Sequence, residues 1–123
     1  MNKFLSVLVA LLTLASCSKS EETIVGKTYT LLPEKAITLT FDAKENRFYG
    51  QAVNNYFGEY KIDKHNITLT LIGSTMMAAS EPEMKKEMDY FQNLGKVKTY
   101  TLNGQSLELK GDGITLKYEQ AKN

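Results

Sequence analysis

The chain offers one thiol, one imidazole and no indole, and each of these facts closes off some chemistry. The imidazole, His65, stands among Asp63, Lys64 and Asn66, a polar run that reads as a hairpin turn. A triad or a metal centre built around it would need a second His or a partner thiol, and the sequence supplies neither. Met76, Met77, Met84 and Met88 could present thioethers to a soft metal. Met84 and Met88, however, fall on an apolar helical stripe, where Met serves as an adaptable core filler. Glu81, Glu83, Glu87 and Asp89 are interleaved with Lys85 and Lys86. That pattern reads as a solvated helix face with its acidic residues well placed near the N-terminus, not as an acid–base pair. No catalytic residue, cofactor or metal site is expected. Tyr49, Tyr56, Phe57 and Tyr60 leave two readings open: they line a binding groove, since rings with a polar tip suit interfaces, or they form the core of a Trp-free sheet.

The sole Cys has a setting of its own. Met1-Asn2-Lys3 is a short positive start, an apolar run follows from Phe4 to Leu14, and small residues come next. This is the layout of a secretory signal, too short to cross a bilayer, which takes ~20 apolar residues in a helix. Leu14-Ala15-Ser16-Cys17 resembles the lipobox of bacterial lipoproteins, in which the thiol takes a diacylglycerol, cleavage falls between Ser16 and Cys17, and the new amine is acylated (commonly by palmitate). Several acyl chains make such an anchor stable, since one chain alone holds only marginally. Ser18 to Thr23 is polar and reads as a tether of at most ~20 Å. In Gram-negative sorting, Asp after the Cys marks inner-membrane retention; Ser18 points instead to the outer membrane. Glu21-Glu22 fits part of a surface-export signal, which Lys19 interrupts.

Removing residues 1–16 takes away Lys3, the only charge there, and turns a net charge of +1 into an even balance. A nucleic-acid binder would carry a basic footprint, so none is expected as partner. From Gly26 onward the apolar period is mostly two, as in Ile37, Leu39 and Phe41 or Ile67, Leu69 and Leu71, the mark of strands with one wet face. Eight strands are predicted, near 27–32, 36–42, 46–52, 56–62, 66–71, 97–102, 105–110 and 113–119. Asn103-Gly104 is expected to be a two-residue hairpin loop. Ser80-Glu81-Pro82-Glu83 is a capping box with Pro in the first turn. It opens a helix whose apolar stripe is predicted as Met84, Met88, Phe91 and Leu94, with Gly95 as a left-handed C-cap. The fold expected is mainly β, an antiparallel sheet or small barrel of about eight strands with one helix. Residues 1–16 are the signal, 17–25 the lipidated tether and 26–120 the domain.

Ile37-Thr38-Leu39-Thr40-Phe41-Asp42, Gly50 and Asn54-Asn55-Tyr56-Phe57-Gly58-Glu59-Tyr60 resemble the first half of a META (HslJ-like) domain. Ile72 to Ala78, the Glu-Pro helix to Leu94, Val97 to Tyr100 and Leu107 to Leu109 resemble its second half. The resemblance implies a strongly curved antiparallel sheet with one helix packed on or plugging it, in an envelope-associated protein that is often a lipoprotein. Some members are associated with heat shock or antibiotic tolerance, and no general enzymatic activity is implied. It singles out Asn54, Gly58, Tyr60, Thr75 and Met77 as motif positions. Three departures stand out: Val53 and Ala79 occupy places where relatives often carry two cysteines, and Met76 replaces an Arg. If those cysteines pair in relatives, Val53 and Ala79 are expected to be buried neighbours, with Cβ atoms within roughly 7 Å.

Two functions remain: a non-catalytic envelope module, structural or holding a partner, and a carrier of a small ligand or lipid inside the curved sheet. Both share the anchor, which generates the first prediction. Expressed with its signal, the protein should partition into detergent with acyl groups on Cys17, and Cys17→Ala should release it or block processing. A soluble wild-type product cleaved elsewhere contradicts the anchor.

Overall fold

Side chains that alternate between wet and dry force each strand to bury every second residue, and closing on themselves is the way eight such strands leave no open edge at all. The computed structural model describes residues 23–122; Ser16, Cys17 and most of the tether lie outside them. The strands are β1 (Thr28–Leu31), β2 (Thr38–Phe41), β3 (Arg47–Gln51), β4 (Asn55–Asp63), β5 (Asn66–Ser74), β6 (Val97–Asn103), β7 (Ser106–Gly111) and β8 (Ile114–Gln120), with helix α1 (Glu81–Leu94) between β5 and β6. Every strand pairs antiparallel with its neighbours in sequence, and β8 returns to β1 through Thr30↔Glu119, closing the barrel. The expected sheet is thus a complete eight-stranded barrel. A barrel of this size has an interior just wide enough for side chains to fill it.

That interior is filled. Tyr29, Leu39, Phe41, Phe48, Leu107 and Leu109 are all fully buried. Phe41 stands edge-on to Tyr60, with ring centroids 5.2 Å apart and planes at 89°, the arrangement favoured by the ring quadrupoles. Gly58 is required by closeness: a Cβ there would sit 2.1 Å from the Thr70 carbonyl oxygen and 2.5 Å from the Phe48 ring. Beside it the β4–β5 register slips between Phe57 and Gly58. Ile24 is also fully buried, so the tether expected over 17–25 gives way to packed chain by Ile24.

Turn chemistry differs from expectation in two places. Asn103 pairs with Ser106, so the loop is Gly104-Gln105. Gly104, at φ +62°, takes the first loop position, where a type II′ turn needs glycine. At the end of α1, Gly95 keeps a right-handed φ of −68°. Lys96 N–H instead donates to the Asn93 carbonyl at 3.0 Å, a tightened last turn that needs no left-handed residue.

The alternating strand directions define two barrel ends. The chain enters at one, where Gly26 N–H donates to the Phe41 carbonyl at 2.7 Å; the β4–β5 and β6–β7 turns share it. The β1–β2 turn, the β3–β4 loop and α1 lie at the opposite end.

Tyr29 sits in the interior with its hydroxyl buried and unpartnered, and burial, aided by Tyr100, pushes its pKa from 10.0 to about 12. Because the folded value is the higher one, the stability linked to this proton is complete below pH 10 and is lost as pH rises towards 12 and beyond. Tyr29→Phe should therefore stabilise the barrel at neutral pH by about 1 kcal/mol, by deleting an unpaired buried group. It should also reduce the loss of stability between pH 10 and 12. Chemical denaturation across that range checks both; a variant clearly less stable at pH 7 would show that the hydroxyl is bonded.

Candidate functional site

At the far end, the three-residue β3–β4 loop ends in Asn54, an amide only 2% exposed. A buried amide must have all four of its side-chain hydrogen-bond positions filled, and Asn54 has them. Its Nδ2 donates to Glu87 Oε1 (2.9 Å) and to the Met77 carbonyl (3.3 Å). Its Oδ1 accepts from Thr75 Oγ1 (3.0 Å) and from Met77 N–H (2.5 Å). Its backbone N–H donates to Glu87 Oε2 at 2.6 Å. Thr75 Oγ1 in turn accepts from Asn55 N–H at 3.1 Å. One side chain thereby joins the β3–β4 loop, the segment after β5 and helix α1.

Glu87 is the residue that sequence reasoning missed. Read as part of a solvated face, it is 5% exposed, with each carboxylate oxygen on a separate Asn54 donor. The predicted apolar stripe is corrected with it: α1 buries Glu87, Tyr90 and Leu94, while Met88 is 60% exposed and Met84 and Phe91 are half-buried. The helix turns a polar face to the barrel because donors wait for it there. A usable signal existed: Glu87, Tyr90 and Leu94 share one face at i, i+3 and i+7.

Tyr90 extends the contact. Its hydroxyl lies 2.8 Å from that of Tyr56 on β4 and 2.9 Å from that of Tyr118 on β8. Tyr56 donates its proton to the Thr38 carbonyl at 2.5 Å. Each phenol has one proton, so the chain has one direction: Tyr118 donates to Tyr90, Tyr90 to Tyr56, and Tyr56 to the carbonyl. Burial holds all three phenols well above their ordinary pKa.

Between the pinned helix and the barrel end lies an open groove of about 710 Å³. Its floor is apolar, from Ile37, Ala52, Val53 and Leu116, and α1 supplies Glu83, Lys86, Glu87 and Tyr90 as one wall. Lys86 Nζ reaches across to Glu34 Oε2 in the β1–β2 turn at 2.8 Å. This hydrogen bond and the Lys86 charge lower the Glu34 pKa, and Glu34 raises that of Lys86.

The motif positions divide. Asn54, Thr75 and Met77 meet in the hydrogen-bonded node, Met77 through its backbone alone, since its side chain is largely exposed. Gly58 and Tyr60 lie in the barrel interior, where Tyr60 Oη donates to the Asp42 carbonyl at 3.1 Å. Val53 and Ala79 line the same groove, but the burial expected of them is not found: Val53 is half-buried and Ala79 exposed, because the groove leaves that side open. Of the four aromatics, Tyr56 and Tyr60 are core, while Tyr49 and Phe57 pair across β3 and β4 and point outward. His65 is exposed in the β4–β5 turn, at the end opposite the groove. Among the described residues, no three His, Cys, Asp or Glu side chains gather as a metal site, and no helix is long and apolar enough to cross a membrane.

Fold and site together define a small closed antiparallel barrel with one helix pinned over its end. The chain belongs to the META domain family, whose model matches residues 13–123, and residues 1–18 match a prokaryotic membrane lipoprotein lipid attachment site. It is a META-domain lipoprotein. Solved structures share the fold. A protein from Burkholderia xenovorans is similar at TM-score 0.68 and 20% identity, over 81% of this chain and 85% of that one. A DUF4847-family protein from Bacteroides vulgatus is similar at TM-score 0.56 and 15% identity, over 72% of this chain and 61% of its own. No curated protein matches the chain.

The node generates a direct prediction. Glu87→Gln keeps the shape of the side chain but turns one acceptor into a donor facing a donor. It should destabilise the protein by about 1–3 kcal/mol, the cost of an unpaired buried group, and loosen α1 more than the barrel. Thermal melting and backbone amide shifts check this. A melting temperature equal to wild type contradicts it.

Proposed function

We propose that this chain is a non-catalytic binding module of the cell envelope, held by acyl groups on Cys17 at the outer membrane, whose working surface is the groove beneath α1. The observation that carries the reading is the groove itself: about 710 Å³ of open, mostly apolar space walled by a helix that hydrogen bonds hold in place. Ligand sites are commonly concave and apolar, with a few fixed polar groups, in the range ~300–1,000 Å³. The filled barrel interior favours this mouth over a lumen as the place for a ligand. Orientation supports it further, because the chain enters the barrel at one end and the groove opens at the other, away from the anchored N-terminus. Against catalysis stand the distance of His65 from the groove and the commitment of Glu87 to Asn54. Placement at the outer membrane is supported by Ser18 after Cys17.

A second reading, a face that docks another protein, is favoured by Tyr49 and Phe57, each 49% exposed on the outer wall.

The test uses the mature chain carrying Cys17→Ser, which loses the anchor and keeps the barrel, with the neutral fluorophore N-phenyl-1-naphthylamine as probe. Saturable fluorescence enhancement at one site per chain is expected, and Ala78→Trp, which fills the groove, should abolish it with the circular dichroism unchanged. No enhancement, or enhancement indifferent to Ala78→Trp, overturns the groove as the working surface.

A further inference from the structure

The lining of the groove has a charge that the chain as a whole lacks. The mature chain is balanced, yet four carboxylates (Glu34, Glu83, Glu87 and Asp89) line the groove with one ammonium, Lys86. Asp89 is paired with Lys85 at 3.2 Å and Glu87 is bonded to Asn54. That leaves Glu34 with its Lys86 partner and Glu83, met among the described residues only by the Ser80 hydroxyl at 2.9 Å, to face a guest. Lys86 is itself already neutralised. It lines the groove from the helix side and its ammonium ends 2.8 Å from Glu34. The protein thus places an ammonium of its own on a carboxylate at the rim of this groove, in a pair whose two side chains are 68% and 59% exposed. An anionic guest would have to take Lys86 from Glu34 and then sit among the remaining carboxylates. A cationic guest needs only to exchange with the Lys86 head or settle beside Glu83.

We propose that the groove takes a small amphiphilic amine, its apolar body on the floor formed by Ile37, Val53 and Leu116 and its single cationic head among Glu34 and Glu83. This rests on the reading of the groove as the working surface and adds the chemical class of its ligand. Charge complementarity selects the head, and the floor provides the area that holds the body. Because the carboxylates lie at an open rim, the preference is electrostatic at short range and weakens with salt. Lys86 acts as a competitor tethered in place, so its removal strengthens binding of the cation.

The experiment compares three probes with the same ten-carbon chain and different heads: decylammonium, decyl maltoside and decyl sulfate. Each is titrated by calorimetry below its micelle-forming concentration into the mature chain carrying Cys17→Ser. Decylammonium should bind at least tenfold more tightly than decyl maltoside, with decyl sulfate weakest. Glu83→Gln should weaken decylammonium several-fold and leave decyl maltoside unchanged. Lys86→Ala should tighten decylammonium, and Ala79→Trp should reduce all binding. Equal binding of the neutral and cationic probes, lost together in Ala79→Trp, overturns the amine assignment while leaving the groove reading intact. Tightest binding of decyl sulfate, lost in Lys86→Ala, overturns it in favour of an anionic ligand. Absence of binding by all three removes the groove reading, and the amine assignment with it.

Discussion

A carboxylate buried beneath a helix has to be met by donors, and an amide buried in a loop has to be met on all its edges. Glu87 and Asn54 solve both requirements by meeting each other, in two hydrogen bonds of 2.6 and 2.9 Å. Hydrogen bonds to a charged group contribute about 1.5–3 kcal/mol each when the desolvation of both partners is met. Breaking one partner away leaves the other buried and unpaired, which costs more than the pair contributes. The Asn54–Glu87 contact is therefore best understood as a positional constraint: the helix has one place to sit, because any other leaves Glu87 without donors.

The rest of the far end follows from that constraint. With Glu87 fixed, Tyr90 is carried to the two barrel phenols, and the directed chain from Tyr118 to the Thr38 carbonyl ties α1 to β2, β4 and β8 at once. Apolar burial plays a smaller part in seating this helix than in an ordinary amphipathic one, since Leu94 is its only fully buried apolar side chain. A helix held by directional bonds can stand clear of the barrel on one side while remaining registered on the other. The open side is the groove. The barrel itself is assembled mainly by interior aromatics and leucines, and the helix joins that core through Tyr90, Phe91 and Leu94, the first two packed on the Tyr56 ring.

The barrel was legible in the sequence because period-two alternation reports burial on a sheet face directly, and all eight strands fall close to the expected segments. The existence of α1 was legible too, through Ser80, Pro82 and Glu83. Its orientation was not. The stripe of Met84, Met88, Phe91 and Leu94 is rotated by roughly 70° from the buried face at 100° per residue, because hydrophobic periodicity cannot see a face chosen by hydrogen bonds. The positions suggested by family resemblance fared differently: Asn54, Thr75 and Met77 do come together, but their partner Glu87 carries a residue type that normally marks solvent. Val53 and Ala79 border the groove rather than being buried, since nothing in their own character indicates the space between them and the helix.

The central claim, that the Asn54–Glu87 contact and helix α1 form one unit, can be tested most directly by native-state amide hydrogen exchange. Asn54 N–H lies in a loop, where an amide bonded only to solvent exchanges fast. If its bond to Glu87 seats the helix, it should be protected and should exchange at the same opening free energy as the interior amides of α1. An Asn54 amide that exchanges orders of magnitude faster than those of α1 would contradict the account.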